Sequence, residues 1–228
     1  PITEVYGQTE IGVVTVTRQA PLRQGTVGEP IPGVELKISD DGEILIRHPY
    51  RFDDYLNKPE KTRETIIDDW VHTGDVGEID DNGQLKITDR MKDIIITAGG
   101  KNITPSQFEN ELKFSPFVSD AVVIGDQKKF LTCLIMIDKE NVEHYAQTNS
   151  IPFTDYRSLC AREEVVELID AEVSKVNQHF SSAEQIKRFR LIDVLLTPED
   201  EELTPTMKLK RSYVSNKYNA LIEEMYRG

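Results

Sequence analysis

The chain has 228 residues, of which 38% are hydrophobic and 29% charged, with a formal net charge of −13. That balance describes a globular chain of one large or two small domains, with enough length for a sizeable core. It argues against nucleic-acid binding, which needs a basic face, and against an anionic membrane surface; no apolar run approaches a transmembrane segment.

The first ninety residues read as mostly β. "GVVTVT" (Gly12–Thr17), "VELKI" (Val34–Ile38) and "EILIR" (Glu43–Arg47) are short β-branched runs, and "DDG" at Asp40–Gly42 marks a hairpin turn between two of them. "NKPEKTRETI" reads as a short helix with Pro59 in its first turn. "GEIDDNGQLKIT" is a second hairpin, with Asn82-Gly83 suited to positive φ.

After residue 90, helices and strands alternate, the pattern of an α/β layer domain. "DIIIT" (Asp93–Thr97) reads as a strand. "TPSQFENELKF" opens a helix with Thr104 as N-cap, Pro105 at the first position and Gln107 completing a capping box. "VSDAVVIGD" and "FLTCLIMID" are apolar strands, the second continuous enough to be buried on both faces. "REEVVELIDAEVSKVNQHF" is a helix whose stripe is Val165, Ile169, Val173, Val176 and Phe180. "FRLIDVLL" reads as a strand and "SYVSNKYNALIEEMY" as a terminal helix. The fold class expected is α/β (mixed α+β). The domains are residues 1–90, β-rich, and residues 91–228.

Cys133 lies in an apolar run and reads as a reduced, buried thiol, which points to a reducing, cytoplasmic compartment. His48, His72, His144 and His179 show no metal-ligand spacing. The chain opens on Pro1 in "PITEVYGQTE", without an initiating Met, which suggests a truncation or cleavage product.

Four stretches carry chemistry. "YGQTE" (Tyr6–Glu10) puts a ring, a hydroxyl and a carboxylate close together, able to stack, to bond phosphate and to hold Mg²⁺; a surface turn explains it equally well. In "HTGD", Asp75 follows a glycine and can accept from a ribose diol, or simply form the turn. "DRMKDIIITAGGKNITPSQFEN" offers Arg90 as a fork of donors and Gly99-Gly100 for close backbone approach, without the spacing of a P-loop. "TPTMKLKR" places Lys208, Lys210 and Arg211 before the last helix, where cations oppose the helix dipole.

In this order, the four stretches resemble the adenylate-forming superfamily, which includes acyl-CoA synthetases, luciferases and the adenylation domains of peptide synthetases. "DRMKDIIITAGGKNITPS" followed by "LTPTMKLKR" looks most like a long-chain acyl-CoA synthetase, and the resemblance spans the whole chain. It implies an AMP-forming acid–thiol ligase. A fatty acid would attack ATP to give acyl-adenylate, and coenzyme A would then take the acyl group and release AMP. By resemblance, Tyr6 would pack on adenine, Thr9 would bond the α-phosphate and Glu10 would help hold Mg²⁺. Asp75 and Arg90 would grip the ribose, and Lys208 would be the adenylation lysine. Lys92 would be the hinge about which a small C-terminal domain swings, bringing Gly99-Gly100 to the thioester site.

The sequence departs from the family in having Met207 where glycine is frequent, which agrees with the long-chain pattern. The family's phosphate-binding loop lies upstream of "YGQTE". The resemblance therefore implies a remnant of the large AMP-binding domain plus the whole small domain, inactive without its missing N-terminal part. Peripheral membrane attachment is left open for the longer enzyme. Two alternatives stand beside this: a non-catalytic binding or regulatory module, and an adenylation domain for another carboxylate. An apolar face on residues 1–90 is expected to be left exposed.

Overall fold

The computed structural model describes residues 2–18, 25–197, 199–204 and 209–227. By its contacts the chain forms two compact units, Pro1–Ile94 and Ile95–Gly228.

The first unit is built from β1 (Val5–Gln8), β2 (Gly12–Val16), β3 (Glu29–Pro30), β4 (Glu35–Ile38), β5 (Glu43–Arg47), α1 (Pro59–Thr65), β6 (Ile66–Ile67), β7 (Trp70–Ile79) and β8 (Leu85–Arg90). All its strand pairs are antiparallel. β1-β2-β3 form one sheet, and β4-β5-β7-β6 form another with β8 along β7. Reciprocal backbone bonds, Val27 N to Leu85 O and Leu85 N to Gly28 O at 2.8 Å, tie the sheets together. Between them lies a core of Tyr6, Ile11, Val14, Ile44, Ile46, Val71 and Leu85. Alternation decides which residues enter it, because successive strand side chains face opposite ways.

Two local devices shape this unit. A Cβ at Gly7 would sit 2.0 Å from the Gly12 carbonyl oxygen, so only glycine lets the turn after β1 close this tightly. On β7, Gly74 takes φ +69° opposite a register shift between Glu43 and Leu45. The alternation of β7 runs through it unbroken, so Val71, Thr73 and Asp75 all lie on the buried face. In the β7–β8 hairpin only Gly83 of the Asn82-Gly83 pair takes positive φ. Asp80 instead organises the loop, its Oδ1 accepting from the amides of Asn82 and Gln84.

The second unit contains β9 (Ile95–Ile96), β10 (Asn102–Ile103), α2 (Pro105–Lys113), β11 (Val118–Ile124), β12 (Leu131–Ile137), α3 (Lys139–Thr148), α4 (Tyr156–Cys160), α5 (Glu163–Asn177), β13 (Ile186–Leu191), α6 (Arg211–Lys217) and α7 (Asn219–Tyr226). Its sheet runs β11-β12-β13. β11 and β12 are antiparallel; β12 and β13 are parallel, joined by a crossover through α3, α4 and α5. Every residue of β12 is buried. Its alternate residues feed opposite cores: Leu131, Cys133, Ile135 and Ile137 face α2 and α5, while Leu134 faces Val214, Ile222 and Met225 of the last two helices. This is a mixed α/β layer with helices on both faces of the sheet.

Several elements differ from the sequence reading. "DIIIT" is not one strand: Met91–Asp93 make a 3-10 turn closed by Ile94 N to Met91 O, and β9 is only Ile95–Ile96. α2 starts at Pro105 as expected, but the Thr104 side chain makes no cap bond, and Gln107 N bonds the Thr104 carbonyl. α5 ends at Asn177, so Phe180 lies beyond it; its ring stacks on Phe108 at 3.7 Å between centroids. β13 covers Ile186–Leu191, earlier than "FRLIDVLL", because it follows the parallel register of β12. The terminal helix breaks at Tyr218 into α6 and α7. α3 and α4 were not anticipated. Asp138 and Asp155 cap them, each side chain accepting from a first-turn amide.

Candidate active site

In the first unit a cleft of about 620 Å³ opens beside the turn after β1, lined by Thr9, Glu10, Glu43, Lys61, His72 and Arg90 among others. Behind it Asp75 is 4% exposed. Three donors converge on its carboxylate: Arg90 Nε on Oδ1 at 2.7 Å, and the Tyr6 hydroxyl (2.7 Å) and Gln8 Nε2 (2.6 Å) on Oδ2. Topology makes this meeting possible. Asp75 and Arg90 are register partners on β7 and β8, while Tyr6 and Gln8 share one face of β1. Arg90 remains half exposed, so its other donors can meet a ligand. A carboxylate has about four acceptor positions, and three are used here.

Tyr6 is 7% exposed, with its ring in the core of the unit. Burial, then the bond to Asp75, push its phenol far above the usual range. Thr9 is exposed at the turn. Glu10 accepts the Tyr55 hydroxyl at 2.6 Å through Oε1, and its backbone oxygen accepts from Phe52 N. Burial and that carboxylate raise the Tyr55 phenol. Among the described residues no group of three His, Cys, Asp or Glu forms a metal cluster. The donor set suits Mg²⁺ nonetheless, because that ion is normally held by one or two carboxylates together with substrate phosphates.

The sequence reading missed three participants. Gln8 also donates to Thr73 O at 3.0 Å; "YGQTE" reads equally well as a turn, and only as strand β1 does it put Gln8 on the same face as Tyr6. Glu43 holds the Gly74 amide (2.9 Å) and lies 2.7 Å from His72 Nδ1, a fixture of the bulge that no local pattern announces. Tyr55 reaches Glu10 from 45 positions away.

The remaining sites lie elsewhere in the sequence. Lys92 is exposed within the 3-10 turn that ends the first unit. In the second unit, Gly99 and Gly100 form the exposed tip of the β9–β10 hairpin, closed by Thr97 N to Lys101 O and Gly100 N to Thr97 O. Lys101 anchors its base through Glu184 at 2.9 Å. Among the described residues, a Cβ at Gly99 would meet nothing nearer than Thr97 Oγ1 at 3.9 Å. Lys208 lies outside the described residues.

Residues 92–228 match the sequence profile of the AMP-binding enzyme C-terminal domain. The chain belongs to the family of AMP-binding enzymes. A long-chain-fatty-acid–CoA ligase of Mycobacterium bovis is 43% identical over 227 residues, covering 99% of this chain and 38% of its own length. A long-chain-fatty-acid–CoA ligase of Gallus gallus is 35% identical over 251 residues, covering 99% of this chain and 33% of its own. The adenylation domain of a carboxylate reductase from Mycobacterium chelonae superposes with a TM-score of 0.76 at 23% identity, over 99% of this chain and 35% of that one. That likeness shows the fold of an AMP-binding enzyme. The chain spans well under half the length of these relatives. No helix among the described residues is long and apolar enough to cross a membrane.

Proposed function

We propose that the chain is the C-terminal part of an ATP-dependent long-chain fatty acid–CoA ligase, contributing the ribose grip and the small domain that carries the adenylation lysine. The observation that supports this most is the buried Asp75 carboxylate held by Arg90, Tyr6 and Gln8 behind a cleft that also presents Thr9 and Glu10. A carboxylate fixed by fully built donors is oriented before any nucleotide arrives, so little reorganisation accompanies binding. Arg90, half exposed, shares the ribose with Asp75. The Tyr6 ring, in the core, meets adenine only at its edge and otherwise serves to fix Asp75.

Thr9 donates to the α-phosphate. Glu10 would help to hold Mg²⁺, which when bound would offset the charge of the substrate phosphates. Lys208 stabilises charge on the transferring group as the fatty carboxylate attacks. The second unit turns about Lys92 between the half-reactions, and the hairpin tip at Gly99-Gly100 then lines the path of the CoA thiol. The domains on this reading are residues 1–90 and 91–228.

The test is pyrophosphate release with ATP, Mg²⁺ and palmitate. The 228-residue chain alone is expected to be inactive and the full-length ligase active, with Lys208→Ala lowering adenylation far more than thioester formation from supplied acyl-adenylate. Robust turnover by the chain alone, or equal losses in both steps, contradicts the reading.

A further inference from the structure

The segment that follows Lys208 is fastened to the second unit at three consecutive residues. Leu209 N donates to Asp120 Oδ2 at 2.8 Å. Lys210 N donates to Glu202 O at 2.7 Å, and Leu203 and Leu209 form a β-bridge. Arg211 then bridges the middle of α2 and β11: its Nη2 contacts both oxygens of Glu109 at 2.7 and 2.8 Å, and its Nη1 donates to Val123 O at 2.7 Å. Glu109 closes the arrangement by accepting Val123 N at 2.8 Å. Both side chains are largely enclosed, at 25% exposure for Arg211 and 12% for Glu109. Asp120, itself 5% exposed, is neutralised by Lys113 at 3.3 Å.

We infer that Arg211 is a positioning residue for adenylation: with Glu109 and Asp120 it fixes the segment next to Lys208, and it does not serve the phosphates of CoA. The inference rests on the assignment of Lys208 above. A guanidinium with Nη2 on the Glu109 carboxylate and Nη1 on the Val123 carbonyl sets direction as well as distance, which a lysine at the same place does not. The charge of Arg211 is already offset by the enclosed Glu109 carboxylate, so a second anion there gains little, and one that displaced Glu109 would leave that carboxylate enclosed without its partner, which is strongly unfavourable. The geometry also explains a cation at the first position of α6: Glu109 supplies the negative charge that the helix N-terminus favours.

The experiment compares Arg211→Lys, Glu109→Gln and Lys208→Ala in the full-length ligase. Adenylation is followed by ATP–pyrophosphate exchange, and thioester formation from supplied acyl-adenylate and CoA. Arg211→Lys and Glu109→Gln are expected to lower kcat for adenylation by about 10- to 100-fold, the scale set by misplacing a catalytic group by about 1 Å. KM for ATP and for CoA, and the thioester step, should stay within about twofold. A rise in KM for CoA alone would assign Arg211 to CoA phosphate and overturn the proposal. Equal losses in both steps would reduce the cluster to a structural brace and overturn it too. If Lys208→Ala leaves adenylation intact, the assignment of Lys208 fails, and this inference with it. If only Lys208→Ala acts, the anchor alone fails. Should the variants not fold, hydrogen exchange on the unsubstituted chain decides: protected Leu209 and Lys210 amides support the anchor, and exchange at free-peptide rates refutes it.

Discussion

Replacing Tyr6 with Phe removes one hydroxyl from a site where water has little access. Tyr6 is 7% and Asp75 4% exposed, and the bond between them is 2.7 Å. A hydrogen bond from a neutral donor to a buried charged acceptor contributes roughly 1.5–3 kcal/mol. Gln8 and Arg90 remain on the carboxylate, so a loss of about 2 kcal/mol is expected for Tyr6→Phe. For a unit of this size each kcal/mol moves Tm by about 4–8 °C, giving a fall of roughly 8–16 °C. The lone tryptophan, Trp70, is the natural probe. It lies on β7 in the same unit, with Lys37 Nζ 4.1 Å and Arg47 Cζ 4.7 Å from its ring, and unfolding removes both cations. Thermal melts followed by Trp70 fluorescence therefore report the first unit. Gln8→Leu should cost less, since Gln8 is only partly buried, and the double variant should depart from additivity because both donors share Oδ2. A Tm shift below about 2 °C for Tyr6→Phe would show that the hydroxyl does not help to hold Asp75.

The same phenol gives a pH dependence. Its folded-state pKa lies well above the ordinary value of about 10, first through burial and then through Asp75. The folded state therefore holds that proton more tightly than the unfolded chain. The resulting stabilisation is complete below about pH 10 and is lost as pH rises beyond it, so urea midpoints should fall more steeply from pH 9 to 11 in the unsubstituted chain than in Tyr6→Phe. Cys133 and Cys160 are both buried and free; burial pushes the Cys160 thiol up to about 12 and the Cys133 thiol well above its usual value. Neither should react with iodoacetamide at pH 8 in the native chain, and both should react in denaturant; native labelling of either would refute its enclosure. Gly99→Ala meets open space, so it should change the melting of the chain by no more than about 0.5 kcal/mol while slowing the thioester half-reaction of the full-length ligase. An unimpaired thioester step would remove Gly99 from the CoA path.

How much of this was legible in sequence follows the range of the forces involved. β12 could be read directly because a continuous apolar run is a local property, and the Asn82-Gly83 signal located the β7–β8 hairpin, although β7 begins at Trp70 and takes in "HTGD", which by itself reads as a turn. The limits of β9 and β13 could not, since they are set by pairing partners rather than by β-branched content. The site divides in the same way. "YGQTE" and "HTGD" flagged Tyr6 and Asp75, yet their hydrogen bond joins positions 69 apart. Gln8 was in view throughout, but only its shared strand face with Tyr6 gives it a role. The basic cluster before the last helix is the clearest case. As a string, Lys208, Lys210 and Arg211 are three similar cations. Their separation depends on Glu109, 102 positions before Arg211, and on Asp120, 89 before Leu209. Those acidic partners belong to α2 and β11, so Arg211 is committed to the scaffold by topology. A cation held in that way moves only with its own unit and is engaged there, which leaves the substrate role to Lys208 at the start of the anchored segment.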